Sequence, residues 1–69
     1  MTKNVYAVTE IVGTSDQSIS DAIQTAITKA AESLRNLDWF EVDEIRGRIQ
    51  NGKASDYQVT MKIGFKYDK

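Results

Sequence analysis

Two residues carry chemistry that strand packing alone does not require: Trp39, the only tryptophan, and Gln58. An indole is a flat, electron-rich surface on which a planar aromatic molecule can stack. A glutamine amide holds both donors and an acceptor, so it can pair bidentately with a pyrimidine-like ring edge. Arg46, Arg48 and Lys66 add cations, and arginine offers a planar fork that suits phosphate. Each residue also has an ordinary role. Tryptophan is favoured in protein interfaces, strand glutamines commonly face water, and these cations can be solvated or paired with Glu41, Asp43 and Glu44. Those carboxylates alternate faces in a strand and lie among cations, a poor arrangement for acid–base work. With no histidine, no cysteine and no activated nucleophile, catalysis is not expected.

These residues sit on a C-terminal hairpin. Its strands are LDWFEVDEIRGRIQ and SDYQVTMKIGFKY, with the turn signal Asn51-Gly52 between them. The second strand alternates: Tyr57, Val59, Met61, Ile63, Phe65 and Tyr67 share one face, and Gln58, Thr60, Lys62, Gly64 and Lys66 share the other. The first strand breaks parity, because Phe40 and Val42 oppose Ile45 and Ile49. A period of two places all four on one core face only if a residue is inserted, which predicts a β-bulge near Asp43-Glu44. Trp39, Glu41, Glu44, Arg46 and Arg48 then share the polar face with Gln58.

The loop follows from the same bookkeeping. A two-residue Asn-Gly turn would pair Gln50 with Lys53 and set core-facing Ile45 against polar Gln58, so an odd-length loop is expected. A five-residue loop closed by Ile49 and Ser55 would place Arg46 beside Gln58 and Trp39 opposite Gly64. A three-residue loop also keeps the faces consistent. A glycine opposite Trp39 would give the indole room to lie flat.

The elements that hold the hairpin come first in the chain. Lys3 to Val12 is a β-branched first strand with apolar residues at both parities, so its core-facing set stays open. Gly13-Thr14-Ser15 is expected to end it; the run lacks the spacing and lysine of a phosphate loop. Ile19, Ala22, Ile23, Ala26, Ile27, Ala30, Ala31 and Leu34 follow helical spacing. Ser18 is the expected N-cap, with Ser15 an alternative one turn earlier, and Asn36 can close the helix in a left-handed conformation. Strand, helix, strand returns the second strand parallel to the first, and the third fits antiparallel between them. The expected fold is α+β: a β-α-β-β subunit in two layers, its three-stranded antiparallel sheet, order 1-3-2, wrapped around one helix.

Sixty-nine residues make a single domain, 1–69, whose core is marginal alone. Without cysteine or histidine, disulfides are excluded and a zinc site is not expected, which leaves self-association as the staple. No apolar run approaches the ~20 residues of a membrane span and no signal peptide is read, so no membrane partner and a cytoplasmic location are expected. A net charge of −1 with interspersed signs gives no footprint for nucleic acid.

The run GTS, the alanine-rich helix, LDWFEVDEIRGRI and DYQVTMKIGFK together resemble the dodecin family over essentially the whole chain. The distinctive parts are tryptophan in an LDWFEV context, an arginine seven residues on, and YQV in the next strand. The resemblance implies a hollow homododecamer that binds flavins without catalysis, in storage, sequestration or photoprotection. Trp39 would stack on the isoalloxazine, two flavins lying between two symmetry-related tryptophans across a two-fold axis. Gln58 would bond the pyrimidine edge. Arg46 and Lys66 match positions near the phosphate of FMN, with lysine where arginine is often found, so a point charge replaces a fork. FMN is the implied ligand, with riboflavin or FAD as variants. Coenzyme A is a further candidate with no residues assigned to it. The alternative is a small oligomeric interaction or shell protein with Trp39 purely interfacial.

Overall fold

The computed structural model describes residues 3–67. The order is β1 (Tyr6–Ser15), α1 (Ile19–Ala31), β2 (Leu37–Gln50) and β3 (Lys53–Lys66). The sheet runs β1-β3-β2 with both pairings antiparallel, as the chain reversals demand.

The first strand lies further along the chain than composition suggested. It begins at Tyr6 and continues through Gly13-Thr14-Ser15, with Gly13 opposite Val59 and Ser15 opposite Tyr57. Gly13 therefore makes no turn. It lets α1 approach the sheet: a Cβ there would overlap the Ala22 carbonyl and lie 2.8 Å from the Ala26 Cβ. The alanine stripe and the glycine are two halves of one close contact. Its core is Ala22, Ala26, Val59, Met61 and Ile63, with Ile11, Ile23, Ile27, Leu37 and Val42 packed around it.

Both serines serve the start of the helix. The Ser18 hydroxyl accepts from the Asp21 N–H at 3.0 Å. The Ser15 hydroxyl accepts from the Gln17 N–H and donates to the Asp21 carboxylate. The far end is shorter than the stripe implied. The helix stops at Ala31 in a tightened turn, with the Ser33 N–H on the Ala30 carbonyl at 3.1 Å, and Leu34 lies beyond it, its N–H on the same carbonyl at 2.9 Å. Asn36 does take a left-handed φ of 62°, but it steers the connection into β2 rather than closing the helix. Its carbonyl accepts from the Lys66 N–H at 3.0 Å.

The hairpin corrects the expected loop. Asn51 and Gly52 both have positive φ, 53° and 75°, as a two-residue type I′ turn needs, and Gln50 pairs with Lys53. Faces stay consistent because a further register shift falls between Arg48 and Ile49, leaving Ser55 extra on β3. Side chains satisfy the backbone there: Asp56 accepts from the Arg48 N–H at 3.1 Å, and the Ser55 hydroxyl donates to the Arg48 carbonyl. The shift between Val42 and Glu44 is the expected bulge, and a third occurs between Leu37 and Trp39.

Length explains what the core leaves out. A 13-residue helix is about 20 Å long, whereas the molecule extends 54 Å. Phe40, Ile45 and Ile49 share the helix side of the sheet with Val42 by register, yet Ile45 and Ile49 are 51% and 78% exposed. They face the right way but lie beyond the helix. Tyr67, assigned to the core face by parity, falls after β3 and is also exposed.

Candidate functional site

The face of the sheet turned away from α1 carries every residue singled out for chemistry. Cross-strand partners share a face, so the register assigns its rows directly. Val8, Gly64 and Trp39 form one row, Glu10, Lys62 and Glu41 the next, then Val12, Thr60 and Glu44, and finally Thr14, Gln58 and Arg46. Lys66, opposite Tyr6, lies past the Trp39 row.

Trp39 pairs with Gly64, and the indole lies over the glycine where a side chain would otherwise stand. Trp39 keeps 41% of its surface open. One face is supported by backbone and the remainder is available, which is the geometry of a stacking platform.

At the other end, Arg46 Nε donates to Gln58 Oε1 at 3.1 Å. Arginine has no acceptor, so this bond fixes which way the Gln58 amide points. The carbonyl keeps one lone pair and the amide N–H₂ is free to donate. The terminal guanidinium nitrogens of Arg46 stay available to an anion. Arg46 is thus not held by Glu41 or Glu44, and Arg48 engages Asp56 only through its backbone N–H.

Between the two ends, Lys62 donates to Asp43 Oδ2 at 2.7 Å. Asp43 is the extra residue of the central bulge, so this pair ties the irregular strand to its neighbour. The Asp43 hydrogen bond first, and its charge second, push the Lys62 ammonium above its usual value, with smaller help from Glu10 and Glu41. The pair is partly exposed, so its net stabilisation is small.

The four expected binding residues form two groups. Trp39 and Lys66 lie together, because Lys66 is two positions past Gly64 on the same face. Gln58 and Arg46 lie together at the other end. Gly64 and Gln58 are six positions apart on β3, roughly 20 Å of strand. One chain alone does not bring the platform and the amide onto one ring, nor Arg46 and Lys66 onto one phosphate.

Tyr6 and Asp38 were not expected at the site. The Asp38 carboxylate holds the Tyr6 phenol above its usual value, through a hydrogen bond and then through charge. Asp38 is the extra residue of the bulge beside Trp39. The signal was present: Leu37 and Phe40, both apolar, have opposite parity, the same pattern that revealed the central bulge. Among the described residues, no three of His, Cys, Asp and Glu gather as metal ligands would.

A β-α-β-β subunit whose helix covers only part of one sheet face, with a tryptophan laid on the other, defines a narrow structural class. The dodecin family profile matches residues 5–68. A dodecin of Thermus thermophilus is 46% identical over 65 residues, covering 94% of each chain. The dodecin of Streptomyces davaonensis is 47% identical with a TM-score of 0.91, covering 99% of this chain and 100% of that one. The dodecin of Streptomyces coelicolor is 43% identical with a TM-score of 0.92, covering 100% and 99% respectively. The chain belongs to the dodecin family.

Proposed function

We propose that this chain is a non-catalytic flavin-binding protein, acting as a single domain in a closed homododecamer in the cytoplasm. The observation that carries the reading is the half-open indole of Trp39, laid over Gly64 on a sheet face that no other element covers. The residues fit a flavin. A three-ring isoalloxazine finds a flat partner in Trp39, a ring-edge partner in Gln58, and cations for a phosphate in Arg46 and Lys66.

The separation of those groups supports a site shared between copies. A ring stacked on Trp39 of one subunit takes its edge contact from Gln58 of another, and Arg46 and Lys66 meet a single phosphate in the same way. The exposed Ile45 and Ile49 supply apolar surface for the contacts between copies. A bound flavin adds light absorption and redox capacity. Trp39 supplies stacking, and an electron-rich indole in van der Waals contact can donate an electron to an excited ring and quench it. The consequence is storage and photoprotection without turnover.

The test is native mass spectrometry of the purified protein with the ligand extracted and identified. The expected result is a yellow dodecamer carrying FMN or riboflavin. A stable folded monomer at micromolar concentration, or an oligomer to which neither flavin binds, overturns the reading. Trp39→Ala should abolish flavin binding and keep the oligomer. Collapse of the oligomer in that variant would make Trp39 an interface residue instead.

A further inference from the structure

The tip of the hairpin carries a chemistry that the sheet faces do not. Asn51 and Gly52 form its two-residue turn, and both are exposed. An asparagine side chain holds an amide carbon that the backbone nitrogen of the next residue can attack, closing a five-membered ring. Access to that nitrogen governs the reaction. A side chain on the following residue shields it, and a large or β-branched one shields it most. Gly52 has none, and a Cβ built there would meet nothing within 4 Å.

The other two asparagines of the chain lack one or both of these conditions. Asn36 shares the left-handed backbone, with φ 62° against 53°, so conformation alone does not set Asn51 apart. Asn36 is followed by Leu37, however, and its carbonyl is tied to the Lys66 N–H at 3.0 Å. That bond fixes the peptide plane that would have to rotate for ring closure. Asn4 is followed by the β-branched Val5. The peptide between Asn51 and Gly52 instead lies in mid-turn, outside the pair that Gln50 makes with Lys53.

We propose that Asn51 is a site of spontaneous covalent modification, converting through a succinimide to isoaspartate and aspartate. The Gly52 nitrogen gives its proton to water and bonds to Asn51 Cγ. The bond from Cγ to Nδ2 breaks, and the amide nitrogen takes up a proton and leaves as ammonia. Water then adds to one carbonyl of the ring. Opening at Cγ restores the main chain and leaves aspartate. Opening at the backbone carbonyl routes the main chain through Cγ and leaves isoaspartate. One water enters, one ammonia departs, and nothing is oxidised or reduced.

The two products differ in what they do to the hairpin. Both add a carboxylate, taking the formal net charge from −1 to −2. Only isoaspartate adds a methylene to the main chain. A two-residue turn closes because its twist matches that of the flanking strands, so the longer chain cannot keep Gln50 paired with Lys53. The loosening ends at Arg48, where Asp56 and Ser55 hold the strands together through their side chains.

Peptide mapping by mass spectrometry tests the site, on the intact oligomer stored at neutral pH and sampled over time. An isoaspartyl methyltransferase counts the isoaspartate. Position 51 should convert well ahead of Asn36 and Asn4, with isoaspartate among its products. Conversion of Asn36 or Asn4 as fast as Asn51, or none at Asn51, overturns the proposal. Asn51→Asp carries the charge on an unaltered backbone and so separates the two consequences. At matched protein concentration, fully converted parent should melt about 4–8 °C below fresh Asn51→Asp, as for one lost hydrogen bond in a domain of this size. Equal melting temperatures would overturn the loosened turn. Asn51→Gln cannot close the five-membered ring, so it should keep its melting temperature through the same storage. An equal fall in that variant would place the damage outside the turn and overturn the proposal.

Discussion

The indole of Trp39 occupies the space that a side chain at Gly64 would need. A Cβ at that position would overlap the ring and come within 2.5 Å of its Nε1. The platform therefore depends as much on the missing side chain of β3 as on the tryptophan of β2. Their pairing depends in turn on the two register shifts of the β2–β3 ladder that lie between the turn and Trp39. Removing one of those between the turn and Trp39 would shift every later pair and set Trp39 against another partner.

Gly64→Ala should accordingly destroy the platform without destroying the strand. Gly64 has no positive φ, so alanine fits its backbone, and the nearest atoms its methyl would meet belong to the indole. The ring must leave its seat, and flavin affinity should fall roughly tenfold or more with the loss of stacking on the indole. Tryptophan fluorescence should shift, while far-ultraviolet circular dichroism should not. Parent-like FMN affinity would mean that the seated position of Trp39 is irrelevant to binding.

Gly13→Ala tests the other close approach, between β1 and α1. The new methyl would meet a backbone carbonyl, that of Ala22, which cannot rotate away as a side chain can. The helix must move off the sheet, at a cost of about 1–3 kcal/mol typical of overpacking. A lowered melting temperature, compared at matched protein concentration because assembly contributes, is the expected observation. No change would mean that the helix has slack against β1.

Parity made most of this legible. The order 1-3-2 follows from the chain reversals and the bulge at Asp43 from keeping apolar residues on one side, while the pairings Arg46–Gln58 and Trp39–Gly64 were expected for one of the two loop lengths that keep the faces consistent. The loop did not, because bulge and turn trade off. A five-residue loop and a two-residue turn followed by an extra Ser55 give the same downstream register. The left-handed Asn51 and Gly52, the Gln50–Lys53 pair and the hydrogen bonds at Arg48 separate them. Gly13 was read as a turn because a glycine that admits a helix and one that bends the chain look alike in sequence. The 20 Å between Trp39 and Gln58 needed no structure, only the count of residues along β3.

Stability should fall at alkaline pH as Lys62 and Tyr6 lose their protons. Lys62 and Tyr6 both bind their protons more tightly in the folded chain than their ordinary values of 10.5 and 10.0. The unfolded chain therefore loses those protons first as pH rises. Stability from both groups is complete below about pH 10 and is lost as pH climbs through the raised folded values. Asp43 is the main cause for Lys62, so Asp43→Asn should flatten its share of the loss and leave that of Tyr6. Denaturant midpoints measured from roughly pH 9 to 11 check this. An equal slope in parent and Asp43→Asn would dissociate the Lys62–Asp43 pair from stability.

Ring and phosphate recognition should separate by residue. Gln58 is neutral and suited to the ring edge, so Gln58→Ala should weaken riboflavin and FMN by similar factors, somewhat under tenfold for a bond of about 1 kcal/mol. Lys66→Ala should weaken FMN more than riboflavin, since only FMN carries the phosphate charge. Arg46 has both roles: its Nε holds the Gln58 carbonyl, while its remaining nitrogens can meet an anion. Arg46→Ala should therefore lower riboflavin modestly and FMN strongly. Added salt should reproduce only the phosphate part in the parent, because it screens partly exposed charges and leaves a neutral amide bond intact. Titrating both ligands at low and high ionic strength gives all these comparisons. Equal FMN and riboflavin affinities at low salt would reduce Arg46 to an orienting group for Gln58 and Lys66 to an ordinary surface charge. An FMN advantage that survives high salt would instead require a phosphate seat shielded from solvent, between copies of the chain rather than on the open sheet.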